Sequence, residues 1–241
     1  MEDRLYKKFY EIQKSHWWFR GKKDIVLDVI DQLKLSSGMN ILDVGCGSGL
    51  MLSDLAKIGH VSGMDASLDG LAFCKEIFNG PLELCHLPEN IPYKDRSFDL
   101  ITMLDVLEHI EDDLGALSSI KNLLTKNGIL ILTVPANMNL WSHFDVLNHH
   151  KRRYESKQLS KLAVKSGFEV IKISYYNSFL YPLVLLKRKL NNFNKNISDD
   201  LNIPSTILNY ILFNIFKFEK YILRRMTFSF GVSLILIARA S

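Results

Sequence analysis

No apolar run in this chain approaches the roughly 20 residues needed to cross a bilayer. Cysteine is scarce: Cys46, Cys74 and Cys85 are scattered, with no CxxC pair. An odd, dispersed set of this kind reads as reduced thiols in the cytosol and lacks metal-ligand spacing, so no metal is expected. The opening residues are charged and lack the apolar core of an export signal, so a soluble cytoplasmic protein is expected. There is no internal repeat. The net charge is only +4, but it is unevenly placed. Between Asn177 and Phe228, eight Lys/Arg face three acids, so the positive excess sits in that segment.

What is present is core-forming sequence. With 241 residues and 47% apolar content, a single domain over 1–241 is the natural expectation. From Gly38 to Val134, short apolar runs alternate with helical patterns, the signature of an α/β domain with a mostly parallel sheet. Strands are expected at Asn40–Val44, His60–Met64, Leu82–Cys85, Phe98–Met103 and Gly128–Val134. Helices are expected at Leu50–Ile58, Leu68–Phe78 and Asp112–Leu124, with Asp112 and Asp113 suited to a helix start. A helix over Lys22–Leu35 lies within an N-terminal cap (1–37). After the central strands come a helix (Ser156–Ser166), a strand (Phe168–Tyr175) and a last apolar strand within Ser229–Ala240.

The stretch ILDVGCGSGL runs from the first strand into a helix. Gly45, Gly47 and Gly49 permit a tight turn and close approach of a ligand to the backbone. The dinucleotide fingerprint needs a further small residue where this chain has Leu50 or Leu52. The loop therefore suits a ligand without a pyrophosphate, which disfavours an NAD-dependent oxidoreductase. Asp65 ends the second strand, where a carboxylate can accept both hydroxyls of a ribose; its other use is to cap the next helix, for which Ser67 competes.

ILDVGCGSG, GMD, IPYKDRSFDLITMLDVLEHI and GILILTVP, in this order, resemble the successive motifs of class I S-adenosylmethionine-dependent methyltransferases over about residues 38–175. The flanks HWWFRGKK and LWSHFDVLNHHKRRY resemble a bacterial subgroup linked to small-molecule, glycan or lipid biosynthesis. The resemblance implies a Rossmann-like sheet, mostly parallel with the last strand antiparallel, and helices on both faces. It implies S-adenosyl-L-methionine as cofactor, with Asp43, Gly45, Gly47 and Gly49 along its methionine part. Asp65 would take the ribose and Asp105 the neighbourhood of the reaction centre. Where many relatives have an acid for the adenine amine, this chain has Leu87, leaving adenine to backbone groups near Leu87-Pro88. Glu108 and His109 are expected to cap and pack rather than react.

Ligands of open parallel sheets bind at the carboxyl ends of the strands, so WSHFDVLNHHKRRY lies where a methyl acceptor must approach. An alcohol or phenol acceptor benefits from a base that titrates near neutrality, and a nearby carboxylate orients an imidazole. His150 with Asp145 is the preferred catalytic pair, those positions matching the subgroup's pattern, with His143 behind. Arg152 and Arg153 are candidates to clamp an acceptor anion, or a solvated lead-in to the following helix. Tyr154 joins the candidate acceptor contacts. So does Trp18, which with Trp17 and Phe19 forms either a lid or part of the core.

In the resembling fold the last two strands form a hairpin, whereas here a helical insertion (177–228) separates them. A helix over Thr206–Arg225 would carry Thr206, Asn209, Lys217, Lys220 and Arg224 on one narrow face and apolar residues over most of the rest. It suits a lid, a dimer interface, a membrane-contacting element with the cations on head groups, or a helix packed on the sheet. Methyl transfer to a small, glycan or lipid-linked acceptor is the function expected, to oxygen before nitrogen. An N-methyltransferase of a small amine and a non-catalytic cofactor-binding scaffold are the alternatives. No RNA-binding motif is visible, and MLDV stands near the place of the base-methylating NPPY, so nucleic acid is not an expected partner. Peripheral contact with the inner face of a membrane and a homodimer remain open.

Overall fold

The computed structural model describes residues 3–191 and 203–241. Lys195, Asp199 and Asp200, counted in the charge of the insertion, lie outside them. Two helices, α1 (Asp3–Ser15) and α2 (Trp17–Gln32), lead into β1 (Met39–Val44). Then follow α3 (Leu52–Leu55), β2 (Gly59–Asp65), α4 (Leu68–Ile77), β3 (Leu82–Leu84) and β4 (Phe98–Leu104). The second half runs α5 (Asp113–Leu123), β5 (Leu124–Pro135), α6 (His143–Leu147), α7 (Ser156–Lys165), β6 (Phe168–Tyr176), α8 (Tyr181–Asn191), α9 (Thr206–Leu223) and β7 (Ser233–Ala240). The seven strands form one sheet in the order β3-β2-β1-β4-β5-β7-β6. Strands β1 to β5 pair in parallel, while β7 is antiparallel to both β5 and β6. The central strands are apolar on both sides because helices cover both faces. One buried cluster packs Leu117, Ile120 and Leu159 under one face; the other packs Ile25, Ile30, Leu52 and Phe216 under the opposite face.

The elements differ from expectation where local context overrides pattern. The first helix after the glycine loop holds only Leu52–Leu55, because the loop takes up the preceding residues and Gly59 opens β2 directly. Helix α2 starts five residues earlier than expected, at Trp17, with the His16 ring accepting from Trp18 N at 3.2 Å. Within the loop expected at 141–154, Ser142 and Asp145 form a capping box that starts the short helix α6.

The insertion is a helix pair, and α9 packs on α2. Phe216 is fully buried there, stacked 6.0 Å from Tyr176, and Gly21 is required beneath it: a Cβ at 21 would sit 2.3 Å from the Phe216 ring. The face of α9 that packs inward carries Phe213, Phe216, Glu219 and Leu223, and the cations of the expected polar face lie at its edge, paired with the acids of α2. Lys217 and Lys220 reach Asp24 at 3.2 and 3.4 Å, and Arg224 reaches Asp28 at 2.5 Å. Asn209 spans the helix ends, accepting from Trp17 N and donating to Ser15 O, both at 2.9 Å. These three cations therefore tie α9 to α2. Ile207, Leu208, Ile211 and Phe218 are left facing solvent, Ile207 at 75% exposure. No described helix is long and apolar enough to cross a membrane.

Candidate active site

The loop between β1 and α3 is held open by the neighbouring strand ends. Gly45, Gly47 and Gly49 all have positive φ, at 69°, 53° and 77°. A Cβ on Gly45 would meet Val106 at 2.2 Å, so residue 45 admits no side chain. Asp65 ties the loop down: its carboxylate accepts from Gly47 N at 2.7 Å and Ser67 N at 2.9 Å. Ser67, not Asp65, caps α4, accepting from Gly70 N at 3.2 Å. Burial pushes the Asp65 carboxyl up, against the pull of those backbone donors. Asp43 is buried one strand across and accepts from Thr102 Oγ1 at 2.6 Å; burial lifts its pKa to about 7 despite that bond. Leu87 is half-buried against the sheet core, and the Pro88 carbonyl already accepts from Ser119 Oγ at 3.3 Å.

Asp105 sits just beyond β4 with φ at 56°, its backbone N bonded to Thr133 O. Its carboxylate pairs with Lys22 Nζ at 2.8 Å and accepts from Thr133 Oγ1 at 3.0 Å. Burial alone would raise its pKa, but Lys22 and Thr133 hold it below the usual carboxylate range. The Lys22 ammonium also stands 4.8 Å from the Trp18 ring centroid. Lys22 thus brings the N-terminal cap to the reaction end of the sheet. The sequence read it only as a helix residue, since nothing local links a lysine on α2 to a carboxylate 83 positions away.

On the far side of Asp105 the loop after β5 folds around Asp145, which is fully buried. Its carboxylate accepts from Arg153 Nε at 2.8 Å, Arg153 Nη2 at 3.0 Å and Ser142 N at 2.8 Å. It also lies 2.9 Å from His150 Nδ1. Burial opposes its charge, but His150 and Arg153 win and hold its pKa to about 2. The expected catalytic pair is thus in contact, with His150 Nε2 pointing to Glu108 Oε1 at 3.9 Å. The His109 ring meets the His150 ring edge-on at 4.7 Å. Glu108 is buried with both oxygens unpartnered, and burial together with the Asp105 charge lifts its pKa well above normal. The expectation that Glu108 and His109 merely cap and pack does not account for that orphaned carboxylate.

Three expected acceptor contacts belong to the frame in this geometry. Arg153 is buried, and its third donor goes to Ala136 O at 3.0 Å. Arg152 reaches Asp113 at 2.8 Å and Glu111 O at 2.9 Å. Tyr154 is fully buried and donates to Asp113 at 3.0 Å. A clamp on an acceptor anion would need these donors free; here Arg152 and Tyr154 pin the loop to the start of α5, and Arg153 ties it to Asp145 and Ala136. His143 is exposed at the start of α6, and Trp18, on α2, is half-buried against the core cluster that holds Ile25 and Phe216.

A seven-stranded sheet in this order, with a glycine loop after β1 and carboxylates after β2 and β4, is the arrangement of a class I methyltransferase. The chain belongs to the methyltransferase domain family, whose model matches residues 16–173. Among curated relatives, the mitochondrial ubiquinone biosynthesis O-methyltransferase of Schizosaccharomyces pombe is 30% identical over 143 residues, 52% of either chain. The ubiquinone biosynthesis O-methyltransferase of Aliivibrio fischeri is 26% identical over 200 residues, 75% of this chain and 78% of that one. The chain thus spans about half the length of the first of these relatives. Among solved structures, a methyltransferase of Archaeoglobus fulgidus superposes with a TM-score of 0.56 at 18% identity, over 88% of this chain and 94% of that one. Phosphoethanolamine N-methyltransferase 2 of Haemonchus contortus, solved with S-adenosyl-L-methionine, gives 0.58 at 20% identity over 87% and 51%. Those two structures share the fold.

Proposed function

We propose that this chain is an S-adenosylmethionine-dependent methyltransferase acting on an oxygen of a small, glycan or lipid-linked acceptor. The observation that carries the reading is the Asp145–His150 pair, buried beside Asp105 at the carboxyl ends of β4 and β5. Asp43 and the glycine loop would hold the methionine part of the cofactor and Asp65 its ribose. The neighbourhood of Leu87 would border the adenine. A sulfonium is already a good leaving group, so the protein chiefly supplies alignment. The acceptor oxygen attacks the methyl carbon; the C–O bond forms as the C–S bond breaks and S-adenosylhomocysteine departs. The hydroxyl proton passes to His150 Nε2, whose ring Asp145 keeps in the right tautomer through Nδ1. The curated relatives, named as O-methyltransferases, favour oxygen as the target.

The outer face of the insertion supports an apolar acceptor presented at a membrane surface. Ile207, Leu208, Ile211 and Phe218 form an exposed stripe on α9, with Leu183 and Leu186 exposed on α8. The test of function is transfer of label from methyl-labelled cofactor to an extract of the native host, followed by mass analysis of the product. A methylated hydroxyl that His150→Ala fails to form supports the reading. Labelled product with the methyl on nitrogen, or none in any fraction despite tight cofactor binding, overturns it.

A further inference from the structure

We propose that Glu108, His109 and His150 bind one divalent transition-metal ion, Zn²⁺ being the ion best matched to this donor set, at the acceptor end of the site. A carboxylate oxygen of Glu108 and one ring nitrogen from each histidine lie within 4.8 Å of one another. Main-chain geometry brings them together from distant positions: Glu108 and His109 form a 3-10 turn after β4, and His150 follows α6. The Lys151 N–H, bonded to Glu108 O at 2.7 Å, locks the two segments side by side. The inference rests on the acceptor site described above and concerns how that site takes up an oxygen.

The charges at this end of the sheet balance only if Glu108 takes up a proton or a cation. Three carboxylates, Asp105, Glu108 and Asp145, crowd together here. Lys22 pairs with Asp105 at 2.8 Å and Arg153 with Asp145 at 2.8 Å. Glu108 is the one left over, fully buried and with neither oxygen hydrogen-bonded. A bare carboxylate is strongly disfavoured there, so a proton or a cation must accompany it. A proton alone would satisfy the charge, but it gives no role to two imidazoles facing the same space.

The histidines carry the choice. Asp145 holds His150 Nδ1 at 2.9 Å, which assigns the proton to that nitrogen and leaves the Nε2 lone pair aimed at Glu108. A carboxylate behind a ligating histidine, itself fixed by further bonds, is the usual support of a metal-bound imidazole. Here Asp145 is pinned in turn by Arg153 and Ser142. His109 is exposed beside Glu108 and His150, and its ring, edge-on to that of His150 at 4.7 Å, brings the second imidazole to the same space. Two nitrogens and one oxygen suit Zn²⁺, whereas Mg²⁺ and Ca²⁺ take all-oxygen sets. Three protein ligands leave a fourth position open.

An acceptor hydroxyl entering that position would lose its proton to solvent under the influence of the ion. The oxygen then attacks the sulfonium methyl, and the C–O bond forms as the C–S bond breaks, so no proton passes to His150. In the metal-loaded protein His150 is a ligand, and in the metal-free protein it is the base.

The test is metal uptake itself. The chain is stripped with a chelator and titrated with Zn²⁺ against a chromophoric competitor, with Mg²⁺ in parallel. We expect one Zn²⁺ per chain and no competition from Mg²⁺. Glu108→Gln and His109→Asn should weaken uptake at least as much as Asp145→Asn, for which about 10–100-fold is expected. His60→Ala, an exposed histidine on β2, should not change it. Cofactor affinity by calorimetry reports in each variant that the fold is intact. No uptake by the wild-type chain, or unchanged uptake in folded Glu108→Gln, overturns the site. Methyl transfer at full rate by metal-free chain also overturns the ion's role while sparing the function; stoichiometric uptake without transfer to any acceptor would do the reverse.

Discussion

Replacing Asp145 by Asn separates the two tasks of that carboxylate, orienting His150 and neutralising Arg153. Asn keeps one oxygen but turns an NH₂ group toward donors that stand 2.8 to 3.0 Å away, and it leaves a buried guanidinium without its counter-charge. Removing one partner of a buried pair costs about 3–5 kcal/mol. A chain of this size loses about 2–4 °C in Tm per kcal/mol, so the variant should melt about 6–20 °C lower at pH 7. A second route to the magnitude is the Asp145 pKa, held at about 2 against 3.8 for a free carboxylate. That difference corresponds to about 2 kcal/mol at neutral pH. It is smaller because it counts only the carboxylate's preference for its charge, without the stranded arginine. The folded value is the depressed one, so this contribution is complete above about pH 4 and is lost as pH falls toward 2. His150→Ala keeps the Asp145–Arg153 pair and should lower turnover by about 10²–10⁴ with little change in melting. Calorimetric melts from pH 3 to 8 beside turnover assays distinguish the variants. An Asp145→Asn protein that melts within about 1 °C of wild type at pH 7 would refute the buried pair as the frame of the loop.

If Asp65 holds the ribose hydroxyls, Asp65→Ala should weaken calorimetric cofactor affinity by about 1.5–3 kcal/mol, while an unchanged affinity in folded protein removes it from the site. Glu219 is fully buried on α9, accepting from Phe179 N at 2.8 Å, and burial raises its pKa to about 7 from 4.5. Its folded value is the raised one, so wild-type stability should fall as pH rises from about 4.5 to 7, by about 3 kcal/mol at most. Glu219→Gln should match wild type near pH 4 and exceed it at pH 8; parallel stability curves would refute this. Changing Ile207, Ile211 and Phe218 to Ser should abolish co-sedimentation with lipid vesicles without lowering Tm. Because Lys217, Lys220 and Arg224 are tied to α2, that binding should depend on salt less than a polybasic contact would. No vesicle binding by wild type, at any salt concentration, returns the search to water-soluble acceptors.

Much of the geometry of the glycine loop and of the strand ends was legible because its signals are local. The turn at Gly45–Gly49 needs residues tolerant of positive φ, and those are named by their letters. Strand ends place Asp65 and Asp105 at the right edge once the strands are recognised. The acceptor side was legible only in part. The His150–Asp145 pair was expected from the resemblance, and the chain brings the two side chains together over the end of α6. That Arg152 and Tyr154 turn toward the frame depends on where α5 begins, since Asp113 is the partner of both, while Arg153 turns in to meet Asp145.

The sequence by itself determined the alternation of strands and helices, the glycine loop and the carboxylates at the strand ends, because periodicity and turn chemistry act over a few residues. Only the tertiary structure decided which face of α9 is buried. Hydrophobicity alone would hide its apolar arc, but Asp24 and Asp28 on α2 draw the cationic edge inward and leave Ile207 and Phe218 in solvent. It also decided that Lys22 answers Asp105 and Arg153 answers Asp145, while Glu108, among the described residues, has no hydrogen-bond partner and only the His150 ring 3.9 Å away. Charge balance in a buried site is settled among groups that the chain brings together from far apart, and no window of sequence contains it.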